Sequence, residues 1–455
     1  MPFLYIFATI DKYMALDKQN KIQIIKYAPP PTDLPTLGQS DPTEVVFIGR
    51  TNYVASMEEK KFIFGIKRAD RKRHMYIIGK SGMGKSKIQE LMIRQDIAYG
   101  HGVCVIDPNG ELIDGILDFI PQERIEDVCL IDPSDTSQPV SFNPLENVDE
   151  AFKHQLTQGL LEVLRKQFGT SWNPRLEHVF RFTILALLDY PSATMRGMIS
   201  MLTDDEYRSK VIAHISDDMV KKFWSTEFSD WAVKFDSDVI IPIVNKLGQF
   251  LSDPMLKNIF TQQENKINFD KLMDENKIIL INLSRGKIGE DNSVFLGSMF
   301  LTKIKQAGMS RAKLESKNRK DFYLYLDEFH NIATETFENI LSESRKYGFN
   351  LVVSNQYISQ ITPKVQQAIL GHVGTLVVFR VGGDDATKFK PEFAPIFDVK
   401  DMINLGLGEF YIKMMIDGES YDPFSAETLK VLPATHPSYK KDIIDSSHRK
   451  YSINF

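Results

Sequence analysis

Residues 79–86 read GKSGMGKS, a stretch that fits the pattern G-x-x-x-x-G-K-[ST] at each fixed position. The run HMYII before it predicts a β-strand, and KSKIQELMIRQDIAYG predicts a helix that begins at its end. A glycine-rich turn between a strand and a helix directs backbone N–H groups and the positive end of the helix toward an anion. The stretch therefore predicts a loop that binds the phosphates of a nucleoside triphosphate.

Two side chains of this loop have specific expected roles. Lys85 should reach the β- and γ-phosphates, and the Ser86 hydroxyl should ligate Mg²⁺. The alternative is a glycine-rich turn that holds no ligand. The candidate nucleotide-binding residues are Gly79, Lys80, Ser81, Gly82, Met83, Gly84, Lys85, Ser86 and Lys87.

Strands and helices alternate on both sides of residues 149–263. Apolar runs such as GVCVIDP, KIILINLS and FYLYLDEF predict strands, and the stretches between them predict helices. This alternation is typical of parallel βαβ units, and fully apolar strands indicate a sheet covered on both faces. Within residues 149–263 helical periodicity replaces the strands, with Leu156, Leu160, Leu161 and Leu164 on one helix face. The predicted fold is α/β, with a mostly parallel central sheet interrupted by an all-helical inserted domain and preceded by a small β-rich segment.

Five segments follow from these patterns: a β-rich start with a Pro-rich linker (1–70), the first part of the α/β domain (71–148), the helical insertion (149–263), the second part (264–435) and a polar tail (436–455). Residues 2–10 predict a first β-strand, with a truncated membrane anchor as the alternative, because the run is too short to span a bilayer. We expect the polar tail to be mobile.

Bulk composition narrows the function only slightly. The 455 residues are 43% hydrophobic and 25% charged, as in ordinary soluble globular proteins of two or three domains. A formal net charge of −5 means that any site for a polyanion must be local. Cys104 and Cys129 lie in apolar runs and indicate buried thiols rather than a disulfide or a metal site.

Acidic residues end the strand predicted for FYLYLDEF. Asp327 can hold Mg²⁺ through water, and Glu328 can polarise an attacking water. The pair favours hydrolysis over phosphoryl transfer to a second substrate, while helix capping is the alternative. At the end of the next strand, Gln356 could sense the γ-phosphate, or it could be a solvated side chain beside a capping asparagine.

Arg345 lies in the stretch SESRKYG, at the end of a predicted helix before Gly348. One interpretation is a favourable charge at a helix C-terminus. The other is an arginine finger that acts on the nucleotide of an adjacent subunit. The sequence pattern alone leaves both open.

The chain resembles the coupling-protein ATPases of conjugative type IV secretion (the VirD4/TraG/TraD group), within the wider FtsK–HerA class of hexameric DNA pumps. The resemblance covers about residues 45–435. It is carried, in order and approximate spacing, by RHMYIIGKSGMGKS, VCVIDPNGEL, FNPLE, NLSRGKIGEDNSVFLGSMFL, YLDEFHNI, ESRKYG and SNQ.

This resemblance implies a RecA-like P-loop core that assembles as a ring, expected to be hexameric, with ATP and Mg²⁺ between subunits. Arg345 matches the family's finger, and Gln356 matches its sensor glutamine. The helical insertion matches the all-α domain that faces the mouth of the pore. Asp107, at the end of the second strand, lies where open α/β sheets place ligand chemistry, with a turn-forming Asp-Pro as the alternative.

The implied load is DNA, expected to be single-stranded, in a central pore. Backbone tracking needs Lys and Arg, so two basic runs are candidate DNA contacts, with solvated charged faces as the alternative. The first is Lys67, Arg68, Arg71, Lys72 and Arg73, and the second runs from Arg311 to Lys320.

A relaxase or membrane secretion-channel proteins are the other implied partners. Many coupling proteins carry N-terminal membrane helices that this chain lacks, so we expect it in the cytoplasm, recruited to the inner face of the membrane if it serves secretion. Two alternatives remain: a HerA-like translocase for DNA repair, and a secretion ATPase that recruits protein cargo through the helical insertion.

Overall fold

The computed structural model describes residues 25–54, 60–145, 148–230, 236–263, 265–334 and 337–453. The strand predicted for residues 2–10 lies outside the described residues. In the described part of the chain, no helix combines the length and the apolar character needed to cross a membrane.

One eleven-stranded mixed sheet organises the molecule, with strand order β2-β1-β13-β10-β9-β3-β8-β7-β4-β6-β5, and β11 and β12 form a separate pair. The strands are β1 Val45–Thr51, β2 Ile63–Lys67, β3 Met75–Ile78, β4 Gly102–Asp107, β5 Val128–Ile131, β6 Ile278–Asn282, β7 Phe322–Leu326, β8 Phe349–Asn355, β9 Thr375–Val378, β10 Glu409–Lys413, β11 Met415–Ile416, β12 Glu419–Ser420 and β13 Phe424–Thr428.

The seven strands from β9 to β5 pair in parallel, as the alternating pattern predicts. Their residues are buried throughout, because helices cover both faces. Successive side chains of a strand point to opposite faces of the sheet and pack in two separate cores. Ile77 packs in the core that contains Ile88 and Ile113, and Ile78 packs in the core that contains Leu160. The parallel sheet therefore joins the helical insertion on one face to the phosphate-loop helix on the other.

The antiparallel side of the sheet was only partly predicted. β1 pairs with β2 and β13, β13 pairs with β10, and β10 pairs with β9. Strands β1 and β2 of the predicted β-rich segment thus extend the central sheet, and they join it through C-terminal strands that the sequence pattern did not predict. β10 and β13 are short and carry polar residues at their ends (EFYIK and FSAET), so their apolar signal is weak.

Helices fill both faces of the sheet. They are α1 Arg68–Arg71, α2 Lys85–Ala98, α3 Glu111–Leu117, α4 Lys153–Phe168, α5 Pro174–Leu188, α6 Met195–Thr203, α7 Asp205–Ile212, α8 Asp218–Lys222, α9 Ile241–Ser252, α10 Pro254–Phe260, α11 Phe269–Asp274, α12 Arg285–Ile288, α13 Glu290–Ser310, α14 Phe337–Glu343, α15 Pro363–His372, α16 Gly383–Phe393, α17 Val399–Ile403 and α18 Lys440–Tyr451.

The inserted domain is helical wherever residues 149–263 are described, with α4 to α10 and short 3₁₀ and π turns between them. The predicted leucine face of α4 is buried, since Leu156, Leu160, Leu161 and Leu164 all lie in the core. Helix α4 packs on α5 within the insertion and on α13 of the α/β domain. This contact attaches the insertion to the sheet domain.

The expectation of a mobile tail after residue 436 is wrong. Helix α18 packs on β5, and the Ser447 hydroxyl accepts the Leu130 amide hydrogen at 2.8 Å. The helix is polar overall, but one face buries Ile443, Ser446 and Ser447. Both serines are small enough for close packing. The Ser447 hydroxyl donates to the Leu130 carbonyl of β5 and the Ser446 hydroxyl donates to Glu126 just before it, which a count of polar residues does not reveal.

Candidate nucleotide site and family membership

The phosphate loop follows β3 directly and leads into α2 (Lys85–Ala98), as the sequence pattern predicts. Gly84 has φ +117°, a left-handed conformation that residues with a Cβ rarely adopt. A Cβ on Gly79 would lie 2.4 Å from the Phe379 Cβ at the end of β9. Backbone freedom at Gly84 and close strand contact at Gly79 together fix the shape of the loop.

Lys85 is buried at the base of the loop. Its Nζ donates to the Gly79 carbonyl at 2.8 Å and lies 4.0 Å from Glu328 Oε1. Burial lowers the pKa of Lys85, while the carboxylates of Glu328 and Asp327 act in the opposite direction. The exposed loop residues Lys80, Ser81, Gly82 and Lys87 leave the outer side of the loop open to solvent.

The carboxyl ends of β3, β8 and β7 meet at one edge of the sheet, because the three strands are parallel neighbours. The Ser86 hydroxyl donates to Asp327 Oδ2 at 2.9 Å. Ser354, at the end of β8, donates to Asp327 Oδ1 at 2.5 Å. Ser354 escaped sequence reasoning, since a serine inside an apolar strand carries no distinctive signal.

Glu328 is buried and has φ 46° and ψ 45°, a strained conformation for a residue other than glycine. Gln356 Nε2 donates to its Oε1 at 3.0 Å. Its Oε2 is buried and has no hydrogen-bond partner among the described residues. Burial raises the pKa of Glu328, and the hydrogen bond from Gln356 opposes that rise. The geometry thus brings the two predicted residues into direct contact.

Residues that the sequence reasoning missed surround Glu328. His330 Nδ1 lies 3.5 Å from Glu328 Oε2, and its Nε2 lies 3.0 Å from Gln360 Nε2. Burial lowers the pKa of His330 to about 4, and the positive charge of Arg285 adds to this effect. Arg285 has Nε and Nη2 atoms that are buried and make no hydrogen bond within the described part of the chain. A neutral imidazole therefore lies beside the carboxylate, and the positive charge of Arg285 opposes the rise in the pKa of Glu328.

Lys166 of α4 joins the helical insertion to the loop after β7. Its Nζ donates to the Asn331 carbonyl, 165 residues further along the chain, and to the Ala333 carbonyl at 3.2 Å. This connection has no local sequence signal, because it depends on how the insertion packs against the sheet domain.

Arg345 lies at the opposite edge of the sheet. It belongs to a 3₁₀ turn, Ser344–Tyr347, which precedes the seven-residue strand β8. At about 3.3 Å per residue, a strand of that length spans roughly 23 Å, so Arg345 cannot reach the phosphate loop of its own chain. The Arg345 side chain is exposed and forms no hydrogen bond or ion pair with any described residue.

The prediction that the first basic run contacts DNA is wrong for two of its five residues. Arg68 and Arg71 are buried and bind Asp96 Oδ1 at 2.6 and 2.7 Å. Tyr325 donates to Asp96 Oδ2 at 2.5 Å, which completes a buried polar cluster. The remaining members also have protein neighbours: Lys67 pairs with Asp417, Lys72 with Asp321, and Arg73 contacts the Met415 sulfur.

The second basic run is likewise wrong at Arg311, which is fully buried. Its guanidinium donates to the Tyr347 and Gly348 carbonyls at 3.0 and 3.3 Å. Arg319 donates to the Lys346 carbonyl at 2.7 Å. Both arginines therefore contact the turn that carries Arg345, whereas Lys313, Lys317 and Lys320 are exposed.

Asp107 behaves as a structural residue. It is buried, its Oδ1 accepts the Asn109 amide hydrogen at 2.8 Å, and its Oδ2 accepts the Leu112 amide hydrogen at 2.9 Å. Burial raises the pKa of Asp107, although these hydrogen bonds act in the opposite direction. Its contacts agree with the turn-forming alternative, since they close the turn after β4 and begin α3.

A family model described as the type IV secretion-system coupling protein DNA-binding domain matches residues 64–393. The chain belongs to the type IV secretion-system coupling protein family. The resemblance to coupling-protein ATPases is therefore confirmed, and residues 64–393 correspond to the family's DNA-binding domain. No curated protein matches the sequence significantly.

Solved structures share the fold of this coupling protein. The unbound bacterial conjugative coupling protein TrwBΔN70 aligns with a TM-score of 0.59 at 14% identity, covering 82% of this chain and 89% of that one. TrwB in complex with ADP and Mg²⁺ gives 0.57 at 14% identity, with 82% and 90% covered. VirB4 of Thermoanaerobacter pseudethanolicus gives 0.55 at 14% identity, with 88% and 97% covered. The predicted fold class, including its helical insertion, is thereby confirmed.

Proposed function

We propose that this coupling protein is an ATP-hydrolysing ring motor that moves DNA, expected to be single-stranded, through a central pore during conjugative transfer. The observation that carries the proposal is the convergence of Ser86, Asp327, Glu328 and Gln356 at the edge where the phosphate loop ends. TrwB has been solved with ADP and Mg²⁺ and with a non-hydrolysable ATP analogue, which supports ATP as the nucleotide.

The donor set fits a magnesium nucleotide. The Ser86 hydroxyl and the Asp327 carboxylate are neighbouring oxygen donors of the type that Mg²⁺ prefers. Bound Mg²⁺ would neutralise charge on the phosphates of the nucleotide. Lys85, which bonds to the Gly79 carbonyl, can turn its ammonium toward phosphate oxygens without leaving the base of the loop.

Glu328 is the proposed general base. Its unpartnered Oε2 can accept a proton from water, while Gln356 holds Oε1 and keeps the carboxylate oriented. Gln356 directly follows β8, and its side chain contacts the proposed base. It is therefore suited to report the state of the γ-phosphate. Because His330 is neutral at neutral pH, it does not form an ion pair with Glu328 that would make the carboxylate a weaker base.

The position of Arg345 favours action between subunits. It lies about one strand length from its own phosphate loop, and its charge is exposed and uncompensated. A ring places the surface of one subunit against the nucleotide of the next, as in other heterologous head-to-tail assemblies. We therefore propose Arg345 as an arginine finger in trans, in a hexameric ring.

The partners follow from the family. A relaxase that delivers DNA and the membrane proteins of a secretion channel are the proposed neighbours, with the motor working in the cytoplasm at the inner face of the membrane. Lys166 links the helical insertion to the loop after Glu328, so cargo that binds the insertion has a direct mechanical connection to the hydrolytic site.

The decisive measurement is the ATPase rate of the purified protein without DNA, with single-stranded DNA and with double-stranded DNA. We expect stimulation by DNA that disappears in Lys85→Ala. A rate indifferent to any nucleic acid would overturn the DNA motor and favour a protein cargo.

The finger is tested by mixing subunits. Arg345→Ala should assemble and bind ATP but hydrolyse it ~10³-fold or more slowly. Adding Lys85→Ala subunits, which retain Arg345, should restore activity. Lys346→Ala is the matched control, because Lys346 is an exposed cation in the same turn. Absence of restoration would contradict action in trans.

A further inference from the structure

We propose that Arg319 is a positioning residue for Arg345, holding the finger turn in the shape that the neighbouring active site requires. The finger turn is defined as residues 344–348. The inference rests on the proposed trans role of Arg345 and adds a residue that acts through it.

The Arg319 side chain binds backbone carbonyls of two segments, the finger turn and the loop after α13. Its Nη1 donates to the Lys346 carbonyl at 2.7 Å, immediately after Arg345. Its Nε and Nη2 donate to the Leu314 and Ala312 carbonyls at 2.9 and 3.0 Å. The planar guanidinium suits this bridging, since it presents several donors in fixed directions. One side chain thus joins the finger turn to the loop after α13.

Two further groups hold the same turn. Buried Arg311 donates to the Tyr347 and Gly348 carbonyls. On the other side, His74 Nε2 lies 3.2 Å from the Leu341 carbonyl and 3.2 Å from Ser344 Oγ. The residues on either side of Arg345 are therefore held by two parts of the sheet domain, the loop after α13 with its two arginines and His74 before β3.

The protonation of His74 agrees with this role. Its Nδ1 accepts the Leu351 amide hydrogen at 3.2 Å, so the ring hydrogen is on Nε2 and points to the helix end. Burial lowers the pKa of His74 to about 4, which keeps the ring neutral and this arrangement unchanged at neutral pH. His74 also immediately precedes β3, whose other end carries the phosphate loop.

The contrast between backbone and side chain is what points to positioning. The carbonyls of the turn are bound by buried or partly buried cations, yet the Arg345 side chain itself has no partner among the described residues. Two arginine side chains donate to three consecutive carbonyls of the turn, those of residues 346–348. A finger must arrive preformed, because its contribution depends on geometry at the neighbouring phosphate.

The test uses Arg319→Gln, with Lys390→Gln as the control. Lys390 is an exposed cation that pairs with Asp398 at 3.0 Å and lies outside both basic runs. We expect Arg319→Gln to lower kcat by ~10- to ~100-fold, as for a small misplacement of a catalytic group, with an unchanged KM for ATP. Arg319→Lys, which keeps the charge but not the fork of donors, should lie between the two.

Mixing separates positioning from general damage. Lys85→Ala subunits supply an intact finger, so they should restore hydrolysis at the sites of Arg319→Gln subunits. If Arg345→Ala is rescued in this way and Arg319→Gln is not, the positioning role is wrong while the finger stands. If neither is rescued, the trans finger fails and the positioning role fails with it. A kcat equal to that of Lys390→Gln also overturns the inference.

Discussion

Replacing Glu328 with glutamine removes the proposed general base and little else. The two side chains have nearly the same shape, and an amide oxygen can still accept the hydrogen bond that Gln356 donates to Oε1 at 3.0 Å. The left-handed backbone at Glu328 is equally strained for both residues. The carboxylate is buried, so the exchange removes a desolvated charge and should leave the thermal stability of the fold unchanged or slightly higher.

The expected effect is on the chemical step. A positioned base contributes about 10²- to 10⁴-fold, which corresponds to roughly 2.7 to 5.5 kcal/mol of barrier. ATP binding should survive, because Lys85 and the Ser86–Asp327 pair are untouched. Loss of the carboxylate 4.0 Å from the Lys85 ammonium should, if anything, tighten binding of the anionic nucleotide.

The assay is single-turnover hydrolysis of labelled ATP by Glu328→Gln, alongside nucleotide affinity from equilibrium titration. Glu338→Gln provides the control. Glu338 lies on α14 and pairs with Lys364 of α15 at 2.9 Å, away from the phosphate loop. A Glu328→Gln enzyme that hydrolyses ATP at the wild-type rate would show that another group takes the proton. Parallel loss of binding and hydrolysis would show that Glu328 holds the nucleotide instead.

Three further outcomes are expected. Because burial raises the pKa of Glu328 and Gln356 opposes that rise, the base is lost as pH falls through this raised pKa, and Gln356→Leu should move the acid limb of the kcat profile to higher pH. An unchanged acid limb would contradict the assignment. Asp96→Asn should lower the free energy of unfolding by about 3–5 kcal/mol, seen as a lower Tm in thermal denaturation, because two buried guanidiniums lose their counter-charge. Reduced DNA affinity at unchanged Tm would restore the DNA-contact interpretation. Gly79→Ala should weaken nucleotide binding in equilibrium titration, since its Cβ would lie 2.4 Å from the Phe379 Cβ; wild-type affinity would show that the loop can shift.

Local sequence patterns were sufficient to predict the edge of the sheet that carries the phosphate loop. GKSGMGKS required a strand before it and a helix after it, and β3 and α2 have that arrangement. FYLYLDEF and NLVVSNQ were strands with polar ends, and parallel pairing then brought Asp327 and Gln356 to the loop. The rule that parallel strands end at one edge made these contacts predictable.

The charges were harder to interpret from the sequence. Arg68, Arg71 and Arg311 stand in exposed-looking basic runs, yet all three are buried against acceptors from distant segments. Local composition cannot reveal a partner such as Asp96 or a carbonyl such as that of Tyr347. The polar helix α18 was missed for the same reason.

The sequence by itself determined the α/β class, the phosphate loop, the acidic strand end and the family, because each is written in consecutive residues or in a short period. Only the tertiary structure decided which cations are available to ligands, how Lys166 meets the loop after Glu328, and that Arg345 lies at the far edge of the sheet from its own nucleotide loop. Those features depend on pairing between segments far apart in the chain, and burial changes the chemistry of a charge in a way that its neighbours in sequence do not encode.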